Sequence, residues 1–212
     1  MGKIKQGILG AVSGKVGSVV GSSWKGIATL RSLAASVANP RTAPQVNART
    51  KFTGIVQFAS QILAEIVKPL WDRFAQQESG YNAFISRNYD ASNNLGVIDP
   101  TLIVTSQGKM TGTAIGVMSI EGTGGAGLVN WVNDSGQGFK LATDVAYVTI
   151  FNVTRNKVYG YSDPLQTRGI GLVSFDTQPG TAGEIVYVYL SFRRADGTIV
   201  SDSTFTNGVI VP

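Results

Sequence analysis

The second half of the chain constrains its fold most, because it is divided into short runs of β-branched and aromatic residues with turn-forming residues between them. Seven such runs lie between residues 101 and 205. Runs of this length and spacing are typical of an antiparallel sandwich of immunoglobulin or fibronectin type. They predict strands at 101–105, 114–120, 127–132, 145–153, 169–175, 185–192 and 198–205.

One hairpin of this predicted sandwich has a specific turn signal. The run 185–192 is followed by Ala195-Asp196-Gly197 and then by a second short run at 198–200. An Asp-Gly pair between two strands favours a tight turn. The chain contains no Cys, so we expect packing alone to hold the two sheets together, without the disulfide of antibody domains.

The middle of the chain predicts a small helical unit. Asn39-Pro40 marks a turn, and Thr42 followed by Gln45 has the spacing of a capping box at a helix start. Apolar residues then recur at steps of three and four from Val46 to Ile66, until Pro69 interrupts the pattern. Two shorter helices are predicted at 70–77 and 81–88. We expect six aromatic side chains to form the core of this unit: Phe52, Phe58, Trp71, Phe74, Tyr81 and Phe84.

The N-terminal segment predicts a β-hairpin with little core of its own. Residues 16–34 are rich in Val, Ile and Thr, and small residues around 22–26 suggest the turn. Glycine at positions 10, 14, 17, 21 and 26 disfavours a helix, since each costs up to about 1 kcal/mol relative to Ala. Because isolated hairpins are marginal in water, this segment needs the helices or another subunit to support it.

These three regions define the predicted fold class and domains. The fold is α+β, in which an N-terminal β-hairpin and a small helical unit precede an immunoglobulin-like β-sandwich. The polar stretch DASNNLG, at 90–96, is rich in turn-forming residues and is predicted to be a linker. We therefore expect a basic assembly region over residues 1–90 and an independently folding sandwich over residues 97–212.

Positive charge is concentrated at the N-terminus. Residues 1–64 contain eight cations and no acid, whereas the remainder contains ten cations and thirteen acids, so +8 and −3 give the overall charge of +5. This asymmetry suggests contact with something negative, although a solvated basic face would also account for it. We expect a subunit contact to use six of these cations: Lys15, Lys25, Arg31, Arg41, Arg49 and Lys51.

Nucleic acid is a weaker alternative for the partner of these cations. The positive residues are spaced out along the segment, and only Trp24 and Phe52 among them could stack on bases. We expect Arg31, Arg41 and Arg49 to bind carboxylates of a neighbouring copy, because the guanidinium group pairs with a carboxylate through two parallel hydrogen bonds.

The amino-acid composition excludes most familiar types of enzyme active site. The chain contains no His and no Cys, which excludes imidazole triads, Cys nucleophiles and the thiolate or imidazole ligands of metal sites. Asp134, Asp163 and Asp176 fall in predicted loops, where solvation or turn formation accounts for them. We therefore predict no catalytic, cofactor-binding or metal-binding residues. The sequence also predicts no membrane span and no signal peptide.

Two N-terminal motifs carry a family resemblance. The opening MGKIKQGILGAVSGKVGSVVGSSWKGIATLRSLA and the later NPRTAPQVNARTKF resemble an uncharacterised family of proteins of similar length from Bacteroidetes and their phages. The aromatic pair of motifs at 71–74 and 81–84 fits the same pattern. The resemblance covers residues 1–90 and extends to the sandwich only in outline. One departure is Thr42-Ala43-Pro44-Gln45, where the family pattern has Thr-Pro-Ala-Gln.

The resemblance implies a non-enzymatic virion structural protein. Such a protein would be made in the host cytoplasm, assemble through its N-terminal region with other copies and other virion proteins, and display the immunoglobulin-like domain. The alternative is a bacterial surface or carbohydrate-binding module, with Tyr159 and Tyr161 exposed on the binding face. The missing signal peptide counts against that alternative.

Overall fold

The computed structural model describes residues 3–4, 11–36, 39–120, 127–175 and 180–210. A four-stranded N-terminal sheet is followed by a helical layer and by two further antiparallel sheets, which confirms the predicted α+β class with a sandwich-like arrangement. The strands of the N-terminal sheet are β1 Lys3–Ile4, β2 Val12–Val16, β3 Val19–Trp24 and β4 Ile27–Ser32. The later strands are β5 Ile115–Ile120, β6 Gly127–Trp131, β7 Val145–Asn152, β8 Lys157–Thr167, β9 Leu172–Phe175, β10 Ile185–Arg193 and β11 Thr204–Val209.

The sandwich consists of a four-stranded sheet, in the order β11-β10-β7-β8, packed on a three-stranded sheet, in the order β5-β6-β9. Alternate residues of β7 and β10 point toward the smaller sheet, including Val148, Ile150 and Leu190. They meet buried side chains of β6 and β9, among them Trp131 and Val173. This inter-sheet cluster is the first of two hydrophobic cores.

The opposite face of the four-stranded sheet is also buried, and there the cover is helical. The intervening residues Tyr147, Phe151 and Tyr189 join a second cluster with the helices. Phe58 meets Phe151 edge-on, with ring centroids 5.2 Å apart. Because both faces of β7 and β10 are covered, these strands are apolar at nearly every position, as strands in the middle of a layered fold must be.

The helical layer is one interrupted helix followed by a shorter one. Helix α1 spans Ala43–Gln61, a π-helical segment spans Leu63–Val67, α2 spans Lys68–Trp71 and α3 spans Gly80–Asn88. The predicted start at Thr42 is confirmed, but its side chain makes no cap hydrogen bond, so the capping box does not form. The predicted helix at 70–77 is too long, because α2 ends at Trp71.

Pro69 does not end the helix as expected. A proline ring in a regular helix clashes with the carbonyl four residues earlier, which here is that of Glu65. The π-helical segment includes Glu65, and in it the Val67 N–H donates to the Ile62 carbonyl at 3.1 Å, five residues back. The widened turn lets the chain continue directly into α2.

Two of the predicted sandwich strands are corrected. The stretch 101–105 is extended only in part, after a 3₁₀ turn at Pro100–Leu102, and it forms no strand. Side chains satisfy its backbone instead, since the Asn88 side chain bonds both the N–H and the carbonyl of Val104. The run 198–205 is broken at 201–203, where Ser201 bridges to Met110, and β11 begins at Thr204.

Strand β8 is the element that the sequence prediction missed. It contains Gly160, Ser162, Asp163 and Pro164, all typical of turns. The strand lies at the edge of its sheet, where a proline removes no hydrogen bond that the sheet needs. Its pairing with β7 shifts register between Val145 and Tyr147, close to that proline. Edge position and irregular pairing therefore explain the atypical sequence.

The linker and the aromatic core are partly as predicted. The DASNNLG stretch forms a tight turn, in which the Asn93 side chain accepts from the N–H groups of Leu95 and Val97. Phe58, Trp71 and Phe84 are buried, whereas Phe52 and Phe74 are exposed, so those two do not belong to the core. The helical cluster extends into the four-stranded sheet. The division into residues 1–90 and 97–212 stays a prediction.

Candidate assembly surface

The hairpin predicted in the N-terminal segment is formed by β3 and β4. These strands pair from Val19↔Ser32 to Trp24↔Ile27 without a break. The two residues between them, Lys25 and Gly26, have φ angles of 46° and 86°. Positive φ at both positions is the signature of the type I′ turn that suits two-residue hairpins. A glycine at position 26 is therefore required by the backbone, and Lys25 tolerates the same region at some cost.

Strand β2 adds to the hairpin through close backbone contact. It pairs with β3 from Gly14↔Gly21 to Val16↔Val19. A side chain at Gly21 would overlap the carbonyl of Val12, so glycine is the residue that this contact admits. Gly10 lies outside the described residues. The predicted hairpin is thus part of a larger sheet, which we call the ribbon and define as β2, β3 and β4.

The ribbon presents two different faces to solvent. Cross-strand partners share a face, and every second residue of a strand returns to it. One face therefore has Lys15, Val20 and Arg31 in a row across the three strands, with Trp24 and Ile27 toward the hairpin tip. The other face is uncharged. It presents three large apolar side chains, those of Val16, Val19 and Leu30.

Within the described part of the chain, both faces of the ribbon are largely exposed to solvent. Every residue of β4 is exposed, and so are Lys15 and Val16 of β2. Exposure reaches 60% for Trp24 and 65% for Leu30. A soluble protein seldom leaves large apolar side chains grouped on an open sheet unless something binds there. The ribbon is consequently the strongest candidate for a functional surface.

The structure brings two of the predicted contact residues together on this surface and places a third at its tip. Lys15 and Arg31 lie on the same face on either side of Val20, about 10 Å apart across two strand spacings. Lys25 lies in the hairpin turn, where its ammonium group donates to the Glu78 carbonyl in the loop before α3. This bond ties the tip of the ribbon to the helical layer.

The other three predicted contact residues lie on or before α1. Arg41 is exposed in the segment that leads into the helix. Arg49 donates to the side chain of Asn39 and to the Pro40 carbonyl, and it lines a 570 Å³ cleft beside the turn at 95–98. Lys51 pairs with the Asp90 carboxylate at 3.3 Å and lies over the Tyr89 ring. Arg49 and Lys51 therefore have partners within the chain.

Apolar residues of the ribbon are what the sequence prediction missed. It assigns the contact to the cations and considers Trp24 only for stacking on nucleic-acid bases, and it does not name Ile27 or Leu30, although all three side chains are large, apolar and exposed. A usable signal was present, since a strand with apolar residues on both faces needs cover on both faces. The neighbouring strand β3 carries Gly21, Ser22 and Ser23, whose small side chains leave the apolar side chains of β4 in contact with solvent.

A second polar cluster is buried at one end of the sandwich, and it is structural. The Arg168 side chain is fully buried and donates to Asp144 at 3.2 Å and to Asp134 at 2.5 Å. Lys140 also binds Asp134, at 2.5 Å. The guanidinium lies 3.9 Å from the centroid of the Phe192 ring. The charges of the two cations, Arg168 and Lys140, balance those of the two carboxylates, Asp134 and Asp144. The hydrogen bonds among these groups attach the loops at 113, 134 and 140–144 to the sheets.

This cluster corrects the prediction for one of the three loop acids. Asp134 is not a solvated loop residue, because its carboxylate is mostly buried among these partners. Burial raises the pKa of Asp134, but hydrogen bonds from Lys140, Arg168 and Thr113 outweigh it and lower the pKa below its usual value. Asp163 does not lie in a loop either, because it belongs to strand β8, where its carboxylate accepts from the Leu165 N–H at 2.9 Å. Asp176 lies outside the described residues.

The aromatic residues assigned to a carbohydrate-binding face are also corrected. Tyr159 and Tyr161 are half-buried and pack against the inter-sheet cluster. Burial raises the pKa of the Tyr161 hydroxyl, and the charge of Asp163 raises it further. Their rings therefore serve the sandwich core, and they do not form the open platform on which a sugar would stack.

Two kinds of feature are absent from the described residues. No three or more acidic side chains come together there in a way that could hold a metal ion. No helix in the same ranges is long and apolar enough to cross a membrane.

Comparison with known proteins identifies the family and nothing more specific. Among curated proteins and among solved structures, none matches the chain significantly. A family model does match, and it covers residues 10–207, which include the ribbon, the helical layer and nearly all of the sandwich. The chain therefore belongs to the family of unknown function DUF6266.

Proposed function

We propose that this protein is a non-enzymatic structural subunit that assembles through its N-terminal ribbon and displays its sandwich outward. The observation that carries the proposal is the exposure of the ribbon on both faces. The rest of the described chain has two well-filled cores, so the exposure of the ribbon is not a general property of the molecule.

Energetics support a role in assembly. A sheet that buries little apolar surface gains little from folding, whereas ordering its backbone costs about 1–2 kcal/mol per residue. Packing against another molecule would bury Trp24, Ile27 and Leu30 and offset that cost. Segments that complete their fold on binding are common in proteins that assemble.

Charge supports a protein partner. Lys15 and Arg31 give one face of the ribbon two cations, and residues 11–64 contain no acid. The remainder of the chain has a net negative charge, so a neighbouring copy can supply the carboxylates. Asp90 already pairs with Lys51 within the chain, but its side chain is 91% exposed and can accept a further hydrogen bond from outside. Nucleic acid is the competing partner, and it would impose a much steeper dependence on salt.

We place this assembly in a virion. The support is the resemblance of residues 1–90 to proteins of Bacteroidetes and their phages, together with the arrangement of a basic ribbon, a helical layer and a sandwich. In such a particle the ribbon would contact other copies and other virion proteins, while the sandwich faces outward.

Sedimentation velocity of the full chain and of residues 37–212 tests the proposal. The full chain should sediment as an oligomer whose size rises with concentration, and residues 37–212 should sediment as a monomer with a cooperative melting transition. Electron micrographs of the full chain should show rings, trimers or filaments. Assembly of residues 37–212 that matches the full chain would contradict the proposal.

A double variant separates protein contacts from nucleic-acid contacts. Lys15→Ala with Arg31→Ala removes both cations from one face of the ribbon and should reduce assembly with a modest salt dependence, because ion pairs that become partly buried in a protein contact are screened less than exposed ones. Lys109→Ala with Lys157→Ala removes the same charge from exposed positions on the sandwich side and serves as the control. Tight DNA binding that the Lys15/Arg31 double variant abolishes, with assembly intact, would favour a nucleic-acid partner.

A further inference from the structure

We infer that the outer edge of β4 pairs antiparallel with β4 of a second copy of this chain, about a two-fold axis at Leu30. The inference rests on the proposed function and names the partner and the geometry of its central contact. The pairing would join two ribbons into one continuous sheet. It follows from the direction of the backbone groups of β4, from its regular edge, which lacks the interruptions of β5 and β8, and from the self-complementarity of the strand.

Backbone geometry shows which groups of β4 have no hydrogen-bond partner among the described residues. The Leu33 N–H donates to the Ser18 carbonyl at 2.7 Å, so residue 33 points its backbone groups toward β3. Hydrogen-bonding direction alternates along an antiparallel strand. Residues 27, 29 and 31 therefore also face β3, as the closing pair Trp24↔Ile27 of a two-residue hairpin requires. The N–H and carbonyl groups of Ala28, Leu30 and Ser32 point to the open edge.

Two edge strands of the sandwich, β8 and β5, are interrupted, and β4 is not. Strand β8 has Pro164 and a register shift, and β5 has a register shift in its pairing with β6. Proline and irregular pairing are devices that keep edge strands from joining other chains. Strand β4 has neither. It carries a single charge at Arg31, and its pairing with β3 is regular throughout.

A two-fold axis restricts the register of the pair. The axis must be perpendicular to the sheet, so each residue pairs with one from the same face, and both members of a hydrogen-bonded pair must point their backbone groups outward. An axis at Leu30 satisfies both conditions. It pairs Leu30 with Leu30 of the second copy and Ala28 with Ser32 in both directions, using all of the outward groups.

Side chains suit this register. Leu30 would contact its own counterpart on the uncharged face, which removes the most exposed apolar side chain of the ribbon from water. On the other face Arg31 lies opposite Thr29, so that no like charges are directly paired. An axis at Thr29 instead would leave the outward groups of Ser32 unused and is disfavoured for that reason.

Leu30→Pro tests the backbone pairing. Proline removes the N–H that points to the open edge and leaves the bonds to β3 intact, as is tolerated on edge strands. Sedimentation equilibrium of the full chain should show the two-copy contact at least about tenfold weaker, since each copy loses one ladder bond. Leu30→Thr keeps the N–H and should weaken the contact less. Equal assembly of Leu30→Pro and the unmodified chain would overturn the inference.

Single cysteines test the register without removing the pairing. The chain contains no Cys, so any disulfide of a single-cysteine variant must join two copies. The pair at Leu30 would have its Cα atoms about 5.5 Å apart, within disulfide range. Leu30→Cys should therefore form a covalent dimer under mild oxidation much faster than Thr29→Cys. Preferential cross-linking of Thr29→Cys, or slow cross-linking of both, would contradict the Leu30 axis.

These outcomes separate the inference from the proposed function. If residues 37–212 fail to assemble but Leu30→Pro assembles normally, the ribbon mediates assembly through another surface and the inference fails alone. If residues 37–212 assemble like the full chain, the proposed function fails as well. Circular dichroism and melting of Leu30→Pro establish that the helical layer and sandwich remain folded.

Discussion

The ribbon and the four-stranded sheet of the sandwich are both antiparallel, yet they differ in what covers them. Strands β7 and β10 lie between the three-stranded sheet and the helices, and nearly all of their residues are buried. The residues of β4 are all exposed. The same kind of backbone pairing is therefore supported by two cores in one sheet and by none in the other.

The difference shows that backbone hydrogen bonds determine the shape of both sheets, whereas side-chain packing stabilises only the four-stranded sheet of the sandwich. A backbone hydrogen bond contributes a net of about 0.5–1.5 kcal/mol, whereas a fully buried large side chain contributes about 1.5–3 kcal/mol. Changes in the sandwich should accordingly alter the free energy of unfolding, and changes in the ribbon should alter assembly. Four predictions follow in order of expected size.

Removal of the helical layer should have the largest effect. Residues 97–212 expressed alone would expose Tyr147, Phe151 and Tyr189, which the helices cover in the full chain. We expect this fragment to bind a hydrophobic dye and to unfold at a much lower denaturant concentration than residues 37–212, which keep the cover. Equal stability of the two fragments would show that the sandwich is an independent domain.

Phe151→Ala should cost about 3–5 kcal/mol of unfolding free energy, because it opens a cavity between Phe58 and the sheet. The matched change in the ribbon is Trp24→Ala, which we expect to cost less than about 0.5 kcal/mol. Both are measured by urea denaturation at concentrations where the chain is monomeric. A large loss for Trp24→Ala would mean that the ribbon has its own stabilising contacts.

Acid should weaken the sandwich and leave the charge of the ribbon unchanged. Hydrogen bonds from Arg155, and then from Asn152, lower the pKa of Glu184 to about 2, although its desolvation opposes them. Because the folded-state pKa lies below the unfolded value, this stabilisation is complete above about pH 4.5 and is lost as the pH falls toward 2. Asp134 acts in the same direction.

Melting temperature recorded between pH 7 and pH 2 measures this effect. Glu184→Gln should be less stable at pH 7 and lose less stability on acidification than the unmodified chain. Residues 11–36, which include the whole ribbon, contain no Asp or Glu, so the charge of the ribbon stays constant over this pH range. An acid profile that Glu184→Gln leaves unchanged would rule out this carboxylate as a source of acid sensitivity.

A pair of glycine substitutions should have the smallest effect and compares the two regions most directly. Gly26 in the ribbon and Gly136 in a sandwich loop both have a φ of 86°, with open space where a Cβ would lie. Alanine at such an angle costs about 1–2 kcal/mol. We expect Gly136→Ala to lower the global unfolding free energy by that amount. Gly26→Ala should instead increase hydrogen exchange in the ribbon alone.

Local patterns predicted much of this fold. The hairpin within 16–34 with its turn near 22–26, the helix start at Thr42, the turn at 90–96 and most sandwich strands follow from turn residues and periodicity, which act over a few positions. Strand β8 was missed because tertiary position at a sheet edge overrides the turn preference of Pro164. The stretch 101–105 was misassigned because the Asn88 side chain takes the place of a neighbouring strand.

The candidate surface was predictable in location and only partly in composition. Charge identified the N-terminal segment, and glycine content identified a ribbon that lacks its own core. The row of Lys15, Val20 and Arg31 needed the register of three strands, which depends on the Gly14↔Gly21 contact. The partners of Arg49 and Lys51 likewise depended on how α1 meets the turns beside it.

The widened turn at Leu63–Val67 has a consequence for how the helical layer rotates. One additional residue in a helix turns everything after it by about 100° about the axis. Because of that rotation, Leu70 and Trp71 face the same core as Ile66 and Val67. It also directs the Trp71 indole N–H toward the Thr105 carbonyl, to which it donates at 2.8 Å. Deletion of a single residue such as Ala64 would rotate Leu70 and Trp71 away from the core. The helix therefore tolerates a substitution in this segment far better than a change of its length.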